Sequence, residues 1–209
     1  MKPNLKLVEA RGDEITFTFG RFNPPTIGHE KLIDATKKAA TREYRVYASK
    51  SQDPKKNPLD YEQKVQWMKR MFPKHKSKIV SGGNYRNALD VAVKLFDEGF
   101  LHLTMVVGSD RVQEFKKLLD RYNGVESKHG LYDFKTIKVK SAGERDPDAE
   151  GVAGMSASKM RKAAMDNDFK SFAQGLPPRF KDGDRLFSDI KKKMPIKEFK
   201  EWDTDLEEA

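Results

Sequence analysis

A chain of 209 residues, 37% hydrophobic and 35% charged, has the length for one sizeable domain, or one domain with an appendage, under a highly charged surface. With no cysteine it excludes a disulfide framework, a thiolate zinc site and a cysteine nucleophile. The formal net charge of +9 fits either a basic face for nucleic acid or a polyphosphate pocket on a lysine-rich surface. No apolar run approaches the roughly 20 residues that span a bilayer. The start Met1-Lys2-Pro3-Asn4 also lacks the apolar stretch of a signal peptide. A cytoplasmic protein without a membrane partner is expected.

Residues 1–13 read as a polar arm. Residues 15–19 are β-branched or aromatic and end at Gly20, as a first strand would. The segment Gly20-Arg21-Phe22-Asn23-Pro24-Pro25-Thr26-Ile27-Gly28-His29 turns through a double proline into a helix running to about Ala40. Residues 44–49 read as a second strand, and 50–58 as a polar loop. Asp60 is the N-cap of the next helix, with Gln63 as its capping-box partner, and Pro73 stops that helix. Residues 78–80 form a short third strand. Ala88, Val91, Ala92, Leu95 and Phe96 then follow helical spacing within residues 84–97.

The apolar run 101–107 reads as a central parallel strand that stops at Gly108-Ser109-Asp110. Residues 112–122 look helical, 134–139 alternate as a strand, and 141–154 form a long loop. Met155-Ser156 opens a helix to about Met165, followed by helices at 168–174 and 184–193 and a loose acidic tail at 202–209. Strands alternating with helices predict an α/β fold, a Rossmann-like, doubly wound, five-stranded parallel sheet flanked by helices. It occupies residues 1–165, and a helical C-terminal extension follows over 166–209. Such sheets bind ligands beyond the carboxyl ends of their strands. The loops at 20–29, 50–58 and 108–111 leave the sheet there and form one candidate site. Neither the Gly-x-Gly-x-x-Gly dinucleotide fingerprint nor the Walker phosphate loop is present.

The chemistry suggested at the first loop is attack by a phosphate oxygen on a nucleotide's α-phosphate, with pyrophosphate leaving. That reaction requires positive charge and hydrogen-bond donors at phosphorus and at the leaving group. His29, an imidazole in the first helical turn, can supply one. The second constellation is Met155-Ser156-Ala157-Ser158-Lys159-Met160-Arg161. Ser156 is its N-cap candidate, and Ser158, Lys159 and Arg161 sit in the first turns. The helix dipole is worth only about 0.3–1 kcal/mol, whereas charge-assisted hydrogen bonds contribute roughly 1.5–3 kcal/mol each. Each motif also has a structural reading: a helix-face histidine, and an ordinary capped helix with a basic surface.

Together the two motifs resemble the signatures of the nucleotidyltransferase superfamily named for its His-x-Gly-His motif, the cytidylyltransferase-like proteins. Thr26-Ile27-Gly28-His29 matches the first signature with Thr in place of its first histidine. Residues 155–161 match the second, Ile-Ser-Ser-Thr-x-x-Arg. The lead-in Gly20-Arg21-Phe22-Asn23-Pro24-Pro25-Thr26, Asn57-Pro58-Leu59 and Gly108-Ser109-Asp110 are similar to the nicotinamide mononucleotide adenylyltransferases. The likeness covers residues 15–165. Class I aminoacyl-tRNA synthetases share the ancestral motifs, but their second motif has lysines where this chain has Gly154 and Ala157, and the chain is too short for tRNA-binding domains.

The resemblance implies transfer of AMP from ATP to a phosphorylated acceptor, nicotinamide mononucleotide first, in NAD biosynthesis. It makes His29, Thr26 and Arg161 the catalytic set. His29 binds the α- and β-phosphates, with Thr26 assisting; Ser156, Ser158 and Arg161 hold the β- and γ-phosphates. The backbone around Phe19, Gly20 and Arg21 lines the adenosine pocket, and Phe22, Gly28, Gly108, Asp110, Met155 and Lys159 complete the nucleotide site. Asp110 contacts a ribose or metal-bound water, or else merely caps its helix. Mg²⁺ is expected to arrive with ATP, without a dedicated protein metal site.

Asn23, Lys50, Trp67, Tyr85 and Arg86 are the acceptor-side candidates. Trp67 and Tyr85 could stack on a base, with helix-core packing as the competing role of Trp67. A cytidylyltransferase or a phosphopantetheine-type adenylyltransferase is the nearest alternative. Residues 150–154 lack the Arg-Thr-x-Gly-Ile-Ser lead-in of cytidylyltransferases, which weighs towards ATP. A non-catalytic nucleic-acid-binding module on the same fold is the alternative from another class. It draws on Lys64, Lys69, Arg70, Lys74, Lys76 and Lys78. The helices after residue 166 are expected to cover the pocket or to form a homo-oligomer contact.

Overall fold

The computed structural model describes residues 13–143 and 155–194. At its centre runs β1 (Glu14–Gly20), paired in parallel with β2 (Glu43–Ala48) on one side and β3 (His102–Val107) on the other. Beyond β3 lies β4 (Thr136–Ser141), also parallel, which gives the order β2-β1-β3-β4. Alternation along β1 separates two hydrophobic layers. Ile15 and Phe17 pack with Leu103 and Met105 of β3 against α3 (Ala88–Asp97) and against Leu119 of α4 (Val112–Tyr122). On the other side, Val46 and Ala48 pack with Ile33 of α1 (Ile27–Ala39) and with α2 (Tyr61–Met71).

The sheet has four strands where five were expected. Of residues 78–80, only Ile79 makes a parallel bridge, to Val46, and the Val80 N–H donates to the Val46 carbonyl at 3.0 Å. Residues Pro73–Lys78 coil into 3₁₀ turns just before it, and Gly82 and Gly83, at φ 78° and 87°, turn the chain just after. One extended residue is left, too few for a strand.

Local chemistry also moves some boundaries. Asn87 Oδ1 accepts from the N–H groups of Leu89 and Asp90, and Asp90 accepts from the Asn87 N–H. This reciprocal cap starts α3 at Ala88, four residues later than the periodicity suggested. Asp60 does cap α2, accepting from the Gln63 N–H at 2.9 Å. Gln63 itself receives the Lys193 ammonium, so its side chain turns to a neighbouring helix. The arm before residue 13, the loop at 144–154 and the acidic tail lie outside the described residues.

The C-terminal helices α5 (Ala157–Met165), α6 (Phe169–Ala173) and α7 (Gly183–Lys193) share the hydrophobic layer of α1 and α2. Met160, Phe172, Leu186 and Ile190 are all buried in it. Polar ties reinforce the seam between α2 and α7: Trp67 Nε1 donates to Asp189 at 3.1 Å, and Lys193 Nζ to Asp60 at 2.8 Å. Among the described residues no helix is long and apolar enough to cross a membrane.

At the amino end of β2, away from the strand ends that carry the motifs, His75 is fully buried between two oxygens. Its Nδ1 lies 2.9 Å from the Tyr44 hydroxyl and its Nε2 2.9 Å from Asp34 of α1. The chain Tyr44–His75–Asp34 fastens the 3₁₀ turns to α1 and β2. Removing one partner of a buried hydrogen bond costs about 1–3 kcal/mol, and a cavity adds to this. His75→Ala is therefore expected to lower the unfolding free energy by about 2–4 kcal/mol, read by urea denaturation, with nucleotide binding retained.

Candidate active site

The chain leaves β1, crosses to the edge at β2, and returns to β3 on the opposite side of β1. The sheet's switch point therefore lies between the carboxyl ends of β1 and β3, where such folds bind ligands. Gly20 ends β1 and Gly108 follows β3, so the 20–29 and 108–111 loops leave the sheet on either side of this point. The β2 loop joins them through the Ser49 N–H, which donates to the Gly20 carbonyl at 2.8 Å.

Within the first loop, Gly20 leaves room for Phe22, whose ring would lie 3.1 Å from a Cβ at Gly20. Phe22 holds a left-handed φ of 47° and is buried, with its ring 4.8 Å from the His29 ring. The structure thus places Phe22 beneath His29, while Arg21 is exposed and Phe19 half-buried. Asn23 is buried too. Its Nδ2 donates to the Leu59 carbonyl at 2.8 Å and its Oδ1 accepts from the Leu59 N–H at 3.1 Å. Both ends of the amide are engaged in joining this loop to the entrance of α2, and the next peptide bond, Asn23–Pro24, is cis.

Thr26 caps α1 reciprocally with His29. The His29 N–H lies 3.4 Å from Thr26 Oγ1, and the Thr26 N–H donates to His29 Nδ1 at 3.0 Å. A backbone N–H can only donate, so Nδ1 is the acceptor and the proton of the neutral ring sits on Nε2. The Thr26 backbone N–H therefore fixes the tautomer of His29. Thr26 Oγ1 also lies 3.0 Å from Nδ1. The N-terminus of α1 offers fewer donors than an open helix would. The Ile27 N–H is taken by the Gly175 carbonyl at 2.8 Å and the His29 N–H by the cap, leaving exposed Gly28 as the open N–H among the described residues.

The second motif arrives on α5. Ser156 caps it, accepting from the Lys159 N–H at 3.2 Å. Arg161 reaches back across the site, with Nη1 donating to the Asn23 carbonyl at 2.7 Å and Nη2 to Ser158 Oγ at 3.0 Å. Burial and the nearby charge of Arg21 draw the Arg161 guanidinium below its usual value, opposed by Asp53. Arg161, half-buried, and exposed Arg21 act on each other's charge, and together they make a positive corner suited to phosphate that Asp53 partly offsets. Met155 is half-buried. A Cβ at Gly175 would lie 2.4 Å from Met160 Sδ and 2.8 Å from Met155 Cγ, so only glycine brings the Gly175 carbonyl to α1.

Asp110 is exposed in the 3₁₀ turn Ser109–Arg111, and a Cβ at Gly108 would sit 2.8 Å from its Oδ1. Among the acceptor-side candidates, Lys50 and Arg86 are exposed. Tyr85 is buried edge-on against Tyr47, with centroids 4.9 Å apart, and its carbonyl accepts the Lys50 N–H at 2.9 Å. Trp67 lies in the seam between α2 and α7, edge-on to Phe180. Its visible work is packing, and the structure does not bring it to the strand-end loops. No group of three or more His, Cys, Asp or Glu side chains converges among the described residues.

Three participants escaped sequence reasoning: Asp53 beside Arg161, the Gly175 carbonyl, and Lys64. Lys64, grouped above with the basic stretch offered for nucleic acid, is fully buried and donates from Nζ to the Ser49 carbonyl. A signal existed, since Lys64 occupies the same stripe of α2 as Tyr61, Val65, Met68 and Met71. Burial pushes its pKa down to about 8, opposed by Asp60, whose carboxylate is shared with Lys193. The unfolded chain keeps its ordinary value near 10.5, so between about pH 8 and 10 it binds more protons than the fold. Stability relative to Lys64→Met should thus rise with pH across that window. Paired urea titrations at pH 7 and 9.5 test this, and a falling difference would contradict it.

A search of curated sequences returns no significant match. The sequence does match the cytidylyltransferase-like family over residues 17–163, a span that holds the end of β1, the Thr26–His29 cap, β2, β3, β4 and the Arg161 bridge. With both signature loops closing on one positive corner at the switch point of a parallel sheet, this chain belongs to the cytidylyltransferase-like family and carries a nucleotidyltransferase domain.

Proposed function

We propose that the protein transfers AMP from ATP to a phosphorylated acceptor, nicotinamide mononucleotide, forming NAD and pyrophosphate. The observation that carries this reading is the Thr26–His29 cap, which sets the proton of the neutral imidazole on Nε2, in the same loop whose Asn23 carbonyl accepts from Arg161. An oxygen of the acceptor phosphate attacks the α-phosphorus, and the bond from that phosphorus to the bridging oxygen of the β-phosphate breaks. No proton transfer from the acceptor is needed, because its phosphate is already ionised. His29 stabilises charge on the α- and β-phosphates, while Arg161, Ser156 and Ser158 hold the departing pyrophosphate. Mg²⁺ travels with the nucleotide and neutralises its phosphates.

Pyrophosphate release from ATP or CTP, each with a panel of phosphorylated acceptors that includes nicotinamide mononucleotide and phosphopantetheine, tests the proposal. Release only with ATP and nicotinamide mononucleotide is expected. Silence with every pair would end the enzymatic reading, and turnover with CTP alone would transfer it to a cytidylyltransferase. The family match keeps that second reading alive. A nucleic-acid-binding role loses Lys64, which is buried beneath the sheet's edge.

A further inference from the structure

Lys64 is a fully buried ammonium group whose hydrogen-bond acceptor is the Ser49 carbonyl. Enclosing a cation this way is unfavourable, and one carbonyl with the partial help of the Asp60 charge does not offset the burial. A methionine of similar length would fill the same slot without the charge. The charge is thus kept for something other than packing.

Its location suggests what. Ser49 follows the last residue of β2, and its N–H donates to Gly20, the last residue of β1. The next residue, Lys50, is tied through its N–H to the Tyr85 carbonyl and extends into solvent at the start of the loop facing the corner. Further along that loop, Asp53 lies close enough to Arg161 to act on its charge, and its carboxylate gathers the N–H groups of Lys55 and Lys56. Three anchors therefore meet at Ser49–Lys50: β1, Tyr85 and, from below, Lys64.

We infer that Lys64 is a positioning residue for the acceptor: by holding the Ser49 carbonyl it fixes where the 50–57 loop, and Lys50 at its head, meets the acceptor's phosphate. The inference rests on the transferase reading above. It concerns the acceptor half of the site alone, because the nucleotide half is held by Thr26, His29 and Arg161 on other segments.

Steady-state kinetics of Lys64→Met and Lys64→Gln test it, with hydrogen exchange at the Ser49 and Lys50 amides in the same variants. Lys64→Met should raise the acceptor KM about tenfold while kcat and the nucleotide KM change less than about twofold. Lys64→Gln, which keeps a donor for the carbonyl without the charge, should recover most of that loss. Protection of both amides should fall in Lys64→Met. An unchanged acceptor KM in both variants, or a nucleotide KM rising in step with it, would overturn the assignment. If the wild-type chain turns over no acceptor, the transferase reading fails by itself. The exchange measurement then still decides Lys64, since unaltered protection in Lys64→Met removes it as the anchor.

Discussion

His29→Ala is expected to lower kcat about 10²–10³-fold, the loss that follows removal of one preorganised transition-state donor. The nucleotide KM should move far less, because on the proposed reading Arg161, Ser156 and Ser158 also hold the ground-state phosphates. The fold should survive the substitution. Thr26 still accepts from the backbone of α1, and loss of the reciprocal half of the cap costs only about 0.5–2 kcal/mol. A thermal melt beside the kinetics separates the two effects. The tautomer argument adds a finer test: Thr26→Val keeps the backbone donor to Nδ1 and should retain more activity than His29→Ala. An undiminished kcat in His29→Ala would remove the imidazole from the chemistry.

Arg161→Ala should raise the nucleotide KM about 10²-fold, as expected from losing a charge-assisted contact worth about 1.5–3 kcal/mol. It also leaves the Asn23 carbonyl without its donor, so the first loop should loosen as well. Arg161→Lys separates charge from geometry. A lysine supplies the positive charge but cannot hold Asn23, Ser158 and a phosphate with one planar fork. It should regain no more than about a tenth of the lost affinity. Nucleotide titrations of the three forms provide the comparison, and equal affinities would show that α5 only packs.

Much of the site could be read in the sequence because its parts are local. Asp60, Ser156 and Asp168 cap the helices that follow them, and in each the capping side chain accepts from an N–H three residues on. Alternation and buried runs located β1, β2 and β3 within a residue or two. What escaped depends on contacts between distant segments. Nothing near Asn23 reveals that its amide is engaged by Leu59, so its acceptor-side placement had no local contradiction. Trp67 and Tyr85 carry the same ambiguity, since an aromatic ring suits a core as well as a base. The missing fifth strand reflects competition: residues 78–80 have strand character, but the 3₁₀ turns and the glycine pair on either side leave room for one bridge.

The bond from Ile27 to Gly175 and the reach of Arg161 to Asn23 have a consequence for the order in which the protein comes into being. A ribosome delivers the Thr26–His29 loop first, at a time when neither of these partners has been made. The sheet can pair through β4 by residue 141, yet the loop on β1 then lacks the guanidinium on its carbonyl and the acceptor at its helix start. On the proposed reading, the nucleotide site is therefore complete only once α5 and the Gly175 turn have joined the sheet.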